Sequence, residues 1–179
     1  MKCIDVHNHL YPQAWMEYLD GRAGSPTMKR TGPTSMIFYS DDMRLATISR
    51  AGHYDPEPRV KDIDEYGIST QILSLTCPSV ELITAKEGVE WARRVNDYMA
   101  EVCAKYPGRF YAYATLPYQD VTESVKELER AHKLGAKGVM LFSNLAGKPV
   151  YAPEFYPIYE AAAEYDMPFF IHPASPITS

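Results

Sequence analysis

The stretch Cys3-Ile4-Asp5-Val6-His7-Asn8-His9 decides the fold of this protein. It starts as a short apolar run, as expected of a strand covered on both faces, and it ends in two histidines two positions apart. Since strand residues two apart share a face, we expect His7 and His9 to point the same way and to bind a metal such as Zn²⁺. Asp5 is expected to orient one of these ligands by accepting a hydrogen bond. The alternative, an exposed pair without a ligand role, is disfavoured by the apolar strand that leads into it.

Short apolar runs alternate with helical patterns along the rest of the chain. Strands are predicted at residues 3–6, 70–75, 110–114, 138–142 and 168–171. Helices are predicted at residues 59–66, 88–106, 120–135 and 154–165, the third of them opened by a capping box formed by Asp120 and Glu123. This rhythm predicts βα units and a parallel sheet, and both a doubly wound sheet and a (β/α)₈ barrel fit it.

Residues 21–54 stand apart because they are rich in Gly, Pro, Ser, Thr and Met and show weak periodicity. We predict that they form an insertion over the mouth of a pocket, with a small hairpin near residues 36–39. The sequence ends just after its fifth predicted strand, at Ile177-Thr178-Ser179, whereas a closed barrel takes eight strands and ~250 residues. We therefore expect residues 1–179 to be a single partial barrel domain.

A third histidine, His172, ends the fifth predicted strand within Pro168-Phe169-Phe170-Ile171-His172-Pro173. Catalytic groups of barrels gather at the C-terminal ends of the strands. A histidine that only caps the strand end is the alternative for this position taken alone. Together with His7 and His9, a ligand role is favoured.

Composition excludes several classes of protein. Eighteen Lys and Arg against 23 Asp and Glu give a net charge of −5, which argues against a nucleic-acid partner. No apolar run approaches the ~20 residues that span a bilayer, and Asp5 lies where a signal peptide would be apolar. Cys3, Cys77 and Cys103 are scattered and odd in number, so they are expected to be reduced thiols of a cytoplasmic protein.

A set of motifs follows in order along essentially the whole chain. They are Asp5-Val6-His7-Asn8-His9, Asp55-Pro56-Glu57-Pro58-Arg59, Arg93-Arg94-Val95-Asn96-Asp97, Tyr106-Pro107-Gly108-Arg109-Phe110, Leu134-Gly135-Ala136-Lys137-Gly138-Val139 and Ile171-His172-Pro173. Together they resemble the aminocarboxymuconate-semialdehyde decarboxylase family of the amidohydrolase superfamily. The resemblance implies an α/β fold, the N-terminal portion (about five βα units) of a (β/α)₈ TIM barrel of the metal-dependent hydrolase type.

The same resemblance implies a site with one divalent metal, usually Zn²⁺, held by His7, His9 and His172. The family's acid/base His and metal-binding Asp, on the sixth and eighth strands, would lie beyond Ser179, so no catalytic residue is assigned within this chain. An Arg before the Asp-Pro-Glu motif grips the substrate carboxylate in the family, which implies that role for Arg50. Asn144 follows the fourth strand and is a second candidate for substrate contact, with a turn role as the alternative.

The implied activity is decarboxylation of a small unsaturated or aromatic carboxylic acid by a metal-dependent carboxy-lyase, with a homodimer as the usual assembly. Two alternatives stay open: a metal-dependent hydrolase, and a catalytically incompetent partial barrel or fragment of a longer enzyme. The His-Asn-His motif favours Zn²⁺, whereas related decarboxylases with Glu-x-His often prefer Mn²⁺. His53 is expected to face solvent, with a place in the pocket lining as the alternative, and His132 is given no functional role.

Overall fold

The computed structural model describes residues 2–174. Its strands are β1 (Ile4–His9), β2 (Thr27–Arg30), β3 (Met36–Ser40), β4 (Met43–Ile48), β5 (Thr70–Ser74), β6 (Phe110–Ala112), β7 (Val139–Phe142), β8 (Asn144–Leu145), β9 (Lys148–Pro149) and β10 (Phe169–His172). Its helices are α1 (Gln13–Asp20), α2 (Pro56–Glu65), α3 (Ala85–Lys105), α4 (Val121–Lys133) and α5 (Tyr156–Glu164). The end of the chain that we placed at residues 177–179 lies outside the described residues.

Five parallel strands form the central layer in the order β1, β5, β6, β7, β10. A parallel bridge between Ala114 and Val139 continues the layer from β6 to β7. All five correspond to predicted strands, so those predictions are confirmed. The first strand differs in its bounds, because it runs on to His9 and so contains both histidines.

Local capping explains where the helices begin. The Asp120 carboxylate accepts a hydrogen bond from the backbone N–H of Glu123, which confirms the predicted start of α4. Helix α2 begins earlier than predicted because Asp55 caps it in the same way and Pro56 fills its first position. Helix α1 was not predicted; its buried residues are Trp15, Met16 and Leu19.

The prediction of a largely irregular segment at residues 21–54 is wrong. Strands β2, β3 and β4 form a three-stranded antiparallel sheet. Residues 36–39 lie in its central strand β3, which forms a hairpin with β4, so the hairpin predicted near these residues is confirmed. Along β3 the side chains of Met36 and Phe38 are buried and those between them are less so, which is the period-two pattern of a strand with one covered face. The strands are too short for that pattern to stand out among the Gly, Ser and Thr residues around them.

Two hydrophobic clusters hold the helices on the parallel layer. The first packs α1 and α3 against β5 and β6 and includes Trp15, Phe38, Leu73, Val95 and Phe110. The second packs α4 and α5 against β7 and includes Leu128, Val139, Leu141, Ile158 and Ala162. The outer strands β1 and β10 leave Ile4, Val6 and Ile171 exposed. Within residues 2–174, no helix has the length and apolar character needed to cross a bilayer.

Candidate metal centre

The structure brings His7, His9 and His172 together at the C-terminal ends of β1 and β10. Each ring offers a nitrogen, and these nitrogens all lie within 4.8 Å of one another. The ring centroids of His9 and His172 are 4.9 Å apart. Nitrogens bound tetrahedrally to one ion at ~2.0–2.1 Å would be about 3.3 Å apart, so small ring rotations suffice to close the cluster around a metal.

A bulge in β1 aims the two histidines. Asp5 pairs with Gln71 of β5 and Asn8 pairs with Leu73, so two residues of β1 oppose a single residue of β5. This interrupts the regular alternation of side chains, as bulges near active sites do. The expected role of Asp5 is therefore corrected: its carboxylate accepts from the backbone N–H of His7 at 3.1 Å and from Gln71 at 2.7 Å, not from a histidine ring among the described residues.

Hydrogen bonds assign the tautomers of His9 and His172. The Ser74 hydroxyl donates its only hydrogen to the Asn8 carbonyl (2.8 Å), so His9 Nδ1–H donates to Ser74 Oγ at 2.8 Å. His172 Nδ1 lies 2.7 Å from the carbonyl oxygen of Pro173, which can only accept. In both rings Nε2 is left with its lone pair, which is the form that ligates a metal.

The charge state of the cluster agrees with these tautomers. Burial, followed by the neighbouring His172 and His7, lowers the pKa of His9 to about 3. Burial also lowers the pKa of His172. Both rings are therefore neutral bases near neutral pH, and the donor set fits a divalent metal that accepts imidazole nitrogen.

A cavity of about 370 Å³ opens beside His9 and His172. Strand β4 forms one wall of it through residues that include Arg44 and Thr47, and Thr76 and Cys77 follow β5 on another side. His53 also lines this cavity and burial lowers its pKa, so the expectation that it faces solvent is wrong. The short turn of residues 51–53 before Asp55 turns this ring inward, which no sequence pattern announced.

The two predicted substrate contacts lie elsewhere. Arg50 is exposed and lines a separate cavity of about 160 Å³. Asn144 belongs to β8 and its backbone pairs with Pro149 in a small hairpin. Within residues 2–174, neither lines the cavity of the histidines. The arginine that does so is Arg44, which sequence reasoning missed because β4 lies in the segment read as irregular.

Glu81 carries a buried carboxyl group in the turn that follows β5. Its Oε2 is buried and has no hydrogen-bond partner among the described residues, and burial raises the pKa from 4.5 to about 8. Between these values the folded protein holds a proton that the unfolded chain releases. The free energy of unfolding is therefore expected to fall as pH rises from about 5 to 8, by at most ~1.4 kcal/mol per pH unit.

Urea unfolding of the wild type and of Glu81→Gln at pH 5, 6, 7 and 8 measures this dependence. The glutamine cannot ionise, so the variant is expected to lose the part of the slope that Glu81 contributes. Equal slopes in the two proteins would contradict the assignment.

Fold and site together define a parallel α/β protein of the barrel type with a histidine cluster at the C-terminal edge of its sheet. The family model described as Amidohydrolase matches residues 4–179. The chain therefore belongs to the amidohydrolase family, and the resemblance drawn from its motifs is confirmed.

Curated relatives of this chain are decarboxylases. Gamma-resorcylate decarboxylase of Polaromonas sp. is 42% identical over 129 residues, which cover 68% of this chain and 40% of that protein. The 2-amino-3-carboxymuconate-6-semialdehyde decarboxylase of Dictyostelium discoideum is 29% identical over 175 residues, covering 95% of this chain and 48% of the relative. The chain thus spans about half the length of the curated relatives it matches.

Solved structures support the predicted fold class. IDCase of Metarhizium anisopliae superposes with a TM-score of 0.83 at 21% identity over 96% of this chain and 50% of that one. A 5-carboxyvanillate decarboxylase of Novosphingobium aromaticivorans has a TM-score of 0.78 at 29% identity, over 98% and 52% of the two chains. That structure holds manganese and 3-methoxy-4-hydroxy-5-nitrobenzoic acid.

Proposed function

We propose that this chain supplies the metal- and substrate-binding part of a metal-dependent carboxy-lyase that acts on a small aromatic or unsaturated carboxylic acid. The observation that carries the proposal is the cluster of His7, His9 and His172 beside a cavity that also contains Arg44. Relatives named as decarboxylases favour loss of CO₂ over hydrolysis. The cavity volume of about 370 Å³ falls in the range of small-molecule sites, roughly 300–1,000 Å³.

Different residues are proposed to bind the metal and the substrate. His7, His9 and His172 would hold a divalent metal, which when bound polarises a substrate oxygen as a Lewis acid. Arg44 is proposed to pair with the substrate carboxylate, because it lines the cavity and a guanidinium binds a carboxylate in bidentate fashion. Tyr11 and Ile48 are buried and form an apolar wall of the cavity, which would keep water from one side of an aromatic substrate ring.

We favour Zn²⁺ as the metal because the three donors are imidazoles. Manganese in the 5-carboxyvanillate decarboxylase supports Mn²⁺ as the alternative. Binding of 2,6-dihydroxybenzoate and of 5-carboxyvanillate to the chain loaded with each metal in turn tests the proposal, because this chain is proposed to supply the metal- and substrate-binding part. A metal-loaded chain that binds neither acid but cleaves an ester or amide would overturn the decarboxylase in favour of the hydrolase.

Arg44 and Arg50 are both exposed, but Arg44 lines the histidine cavity and Arg50 lines the separate cavity, so the two serve as test and control. We expect Arg44→Ala to weaken binding of 2,6-dihydroxybenzoate to the metal-loaded chain by roughly 10- to 100-fold, the effect of losing a hydrogen bond between charged groups. Arg50→Ala is expected to change it by less than about twofold. Titration calorimetry measures both, and the opposite pattern would return the role to Arg50.

Three further features belong to the same proposal. We propose that residues 21–54 are an insertion over the pocket mouth, since β4 forms one wall of the cavity.

A homodimer is proposed because the outer strands leave the apolar side chains of Ile4, Val6 and Ile171 exposed, and sedimentation measures the oligomeric state. The unpaired thiols of Cys3, Cys77 and Cys103 support a cytoplasmic location.

A further inference from the structure

A buried polar network lies beside β1 and joins it to α2 and β5. Arg59 of α2 is 7% exposed and Gln71 of β5 is 6% exposed. Arg59 Nη1 donates to Asn8 Oδ1 and to Gln71 Oε1, both at 3.2 Å. Gln71 Nε2 in turn donates to Asp5 Oδ2 at 2.7 Å. The network therefore joins the residues that flank the bulge in β1.

Two further bonds tie the Arg59 guanidinium to the backbone near the metal ligands. Its Nε donates to the carbonyl oxygen of Gly52 at 2.6 Å, and its Nη2 donates to the carbonyl oxygen of His9. A guanidinium is a rigid planar fork, so acceptors on three separate chain segments are held in one plane. One of these acceptors belongs to a predicted metal ligand.

The network also satisfies the groups that the bulge frees. A bulge breaks the regular ladder of hydrogen bonds between two strands. Here the N–H of His7, within the bulge, donates to the Asp5 carboxylate at 3.1 Å. The Asn8 side chain donates to the carbonyl oxygens of Asp5 (3.3 Å) and Ile72 (3.0 Å). Asp5 and Asn8 are three residues apart yet face the same network, which a regular strand does not allow.

The charge of Arg59 has no direct counter-ion. Within residues 2–174, no carboxylate oxygen lies within ion-pairing distance of its guanidinium, and all its bonds go to neutral oxygens. A hydrophobic side chain of similar length would avoid the desolvation of a buried charge. The arginine fixes the geometry of the end of β1, because it donates hydrogen bonds to the Asn8 side chain and to the His9 carbonyl.

We propose that Arg59 is a positioning residue: together with Asp5, Asn8 and Gln71 it holds the bulge that brings the rings of His7 and His9 together with that of His172. It touches neither metal nor substrate and acts through the backbone of β1. The inference rests on the proposed metal site. It also gives a structural link between the Asp-Pro-Glu-Pro-Arg motif and the His-x-His motif, which are about fifty residues apart, because Arg59 of the first donates a hydrogen bond to Asn8 of the second.

The test compares Arg59→Met with Arg109→Met. Arg109 serves as the control because it also donates to backbone carbonyls, those of Ser69 (3.0 Å) and Ile68 (3.4 Å), but it directly precedes β6 and does not line the histidine cavity. Unlike Arg59, it also pairs with a carboxylate, that of Asp64 at 2.6 Å. Both variants are expected to lower the Tm. Only Arg59→Met is expected to weaken binding of Zn²⁺ and Mn²⁺, by roughly 10- to 100-fold, the usual effect of removing a group that orients ligands. A metal Kd in folded Arg59→Met within twofold of the wild type would overturn the proposal.

A second variant, Gln71→Met, and a hydrogen-exchange measurement on the metal-free chain test the role of Arg59 independently. Gln71→Met removes only part of the network and is expected to weaken metal binding by about threefold to tenfold, so it serves if Arg59→Met does not fold. In the apo chain, hydrogen exchange of the Leu10 amide, which donates to the Ser74 carbonyl at 3.0 Å, is expected to accelerate in Arg59→Met and Gln71→Met but not in Arg109→Met. Unchanged Leu10 exchange in the first two overturns the inference. A wild type that binds no metal overturns the proposed function instead, and the exchange result still decides the role of Arg59.

Discussion

Replacing His7 and His9 together by alanine is expected to abolish metal binding by this chain. The two rings supply two of the three nitrogens that converge within 4.8 Å, and a single remaining imidazole cannot hold a divalent ion against dialysis. We expect the Kd for the metal to rise by more than about a hundredfold, since removing a group that only orients a ligand already lowers metal affinity by roughly 10- to 100-fold. Mass spectrometry of the dialysed protein measures the metal bound per chain, and identifies it as zinc or manganese.

The matched control is His132→Ala. His132 lies in α4 with its ring stacked on Tyr165 at 4.9 Å, away from the cavity, so this variant is expected to bind metal like the wild type. Near-stoichiometric metal in the wild type and in His132→Ala, lost in the double variant, is the expected pattern. Metal retained without His7 and His9 would show that the ion is bound elsewhere and would remove the basis of the proposed function.

Trp15→Ala is expected to cause the largest loss of stability. The indole is fully buried, its N–H donates to the carbonyl oxygen of Pro78 at 3.1 Å, and its ring lies against Tyr18 and Trp91. Truncation leaves a cavity and an unpaired carbonyl, so we expect the free energy of unfolding to fall by about 3–5 kcal/mol. Chemical denaturation measures the change.

Tyr151→Ala serves as the control for Trp15→Ala, because Tyr151 is 75% exposed and its loss should cost less than about 0.5 kcal/mol. Pro78 follows Cys77, which lines the histidine cavity, so Trp15→Ala is also expected to loosen that wall. A loss below about 1 kcal/mol for Trp15→Ala would mean that α1 is not anchored by this contact.

The elements of the fold follow from local patterns in the sequence. A buried strand is a continuous apolar run, and a helix shows a three-to-four residue period bounded by caps such as Asp120 with Glu123. These patterns depend on chemistry within one segment, so they were read correctly for all five parallel strands and for helices α2 to α5. The three histidines belong to the same category, because each ends an apolar strand and parallel strands bring those ends to one edge.

The direction of a side chain depends on packing between distant segments, and the sequence predicted these directions only in part. Asp5 was expected to accept a hydrogen bond from a histidine ligand, yet its carboxylate accepts from the His7 backbone and from Gln71 beside the bulge in β1. Arg50 was expected in the cavity, but β4 brings Arg44 there instead.

The sequence by itself determined the family, the order of the five parallel strands and of helices α2 to α5, and the histidines that converge. The tertiary structure decided which polar side chains face those histidines. The physical reason is that the pattern that marks a strand or a helix cap lies within one segment of the sequence, whereas the direction of Asp5, Arg44 or His53 depends on bonds and burial that come from distant parts of the chain.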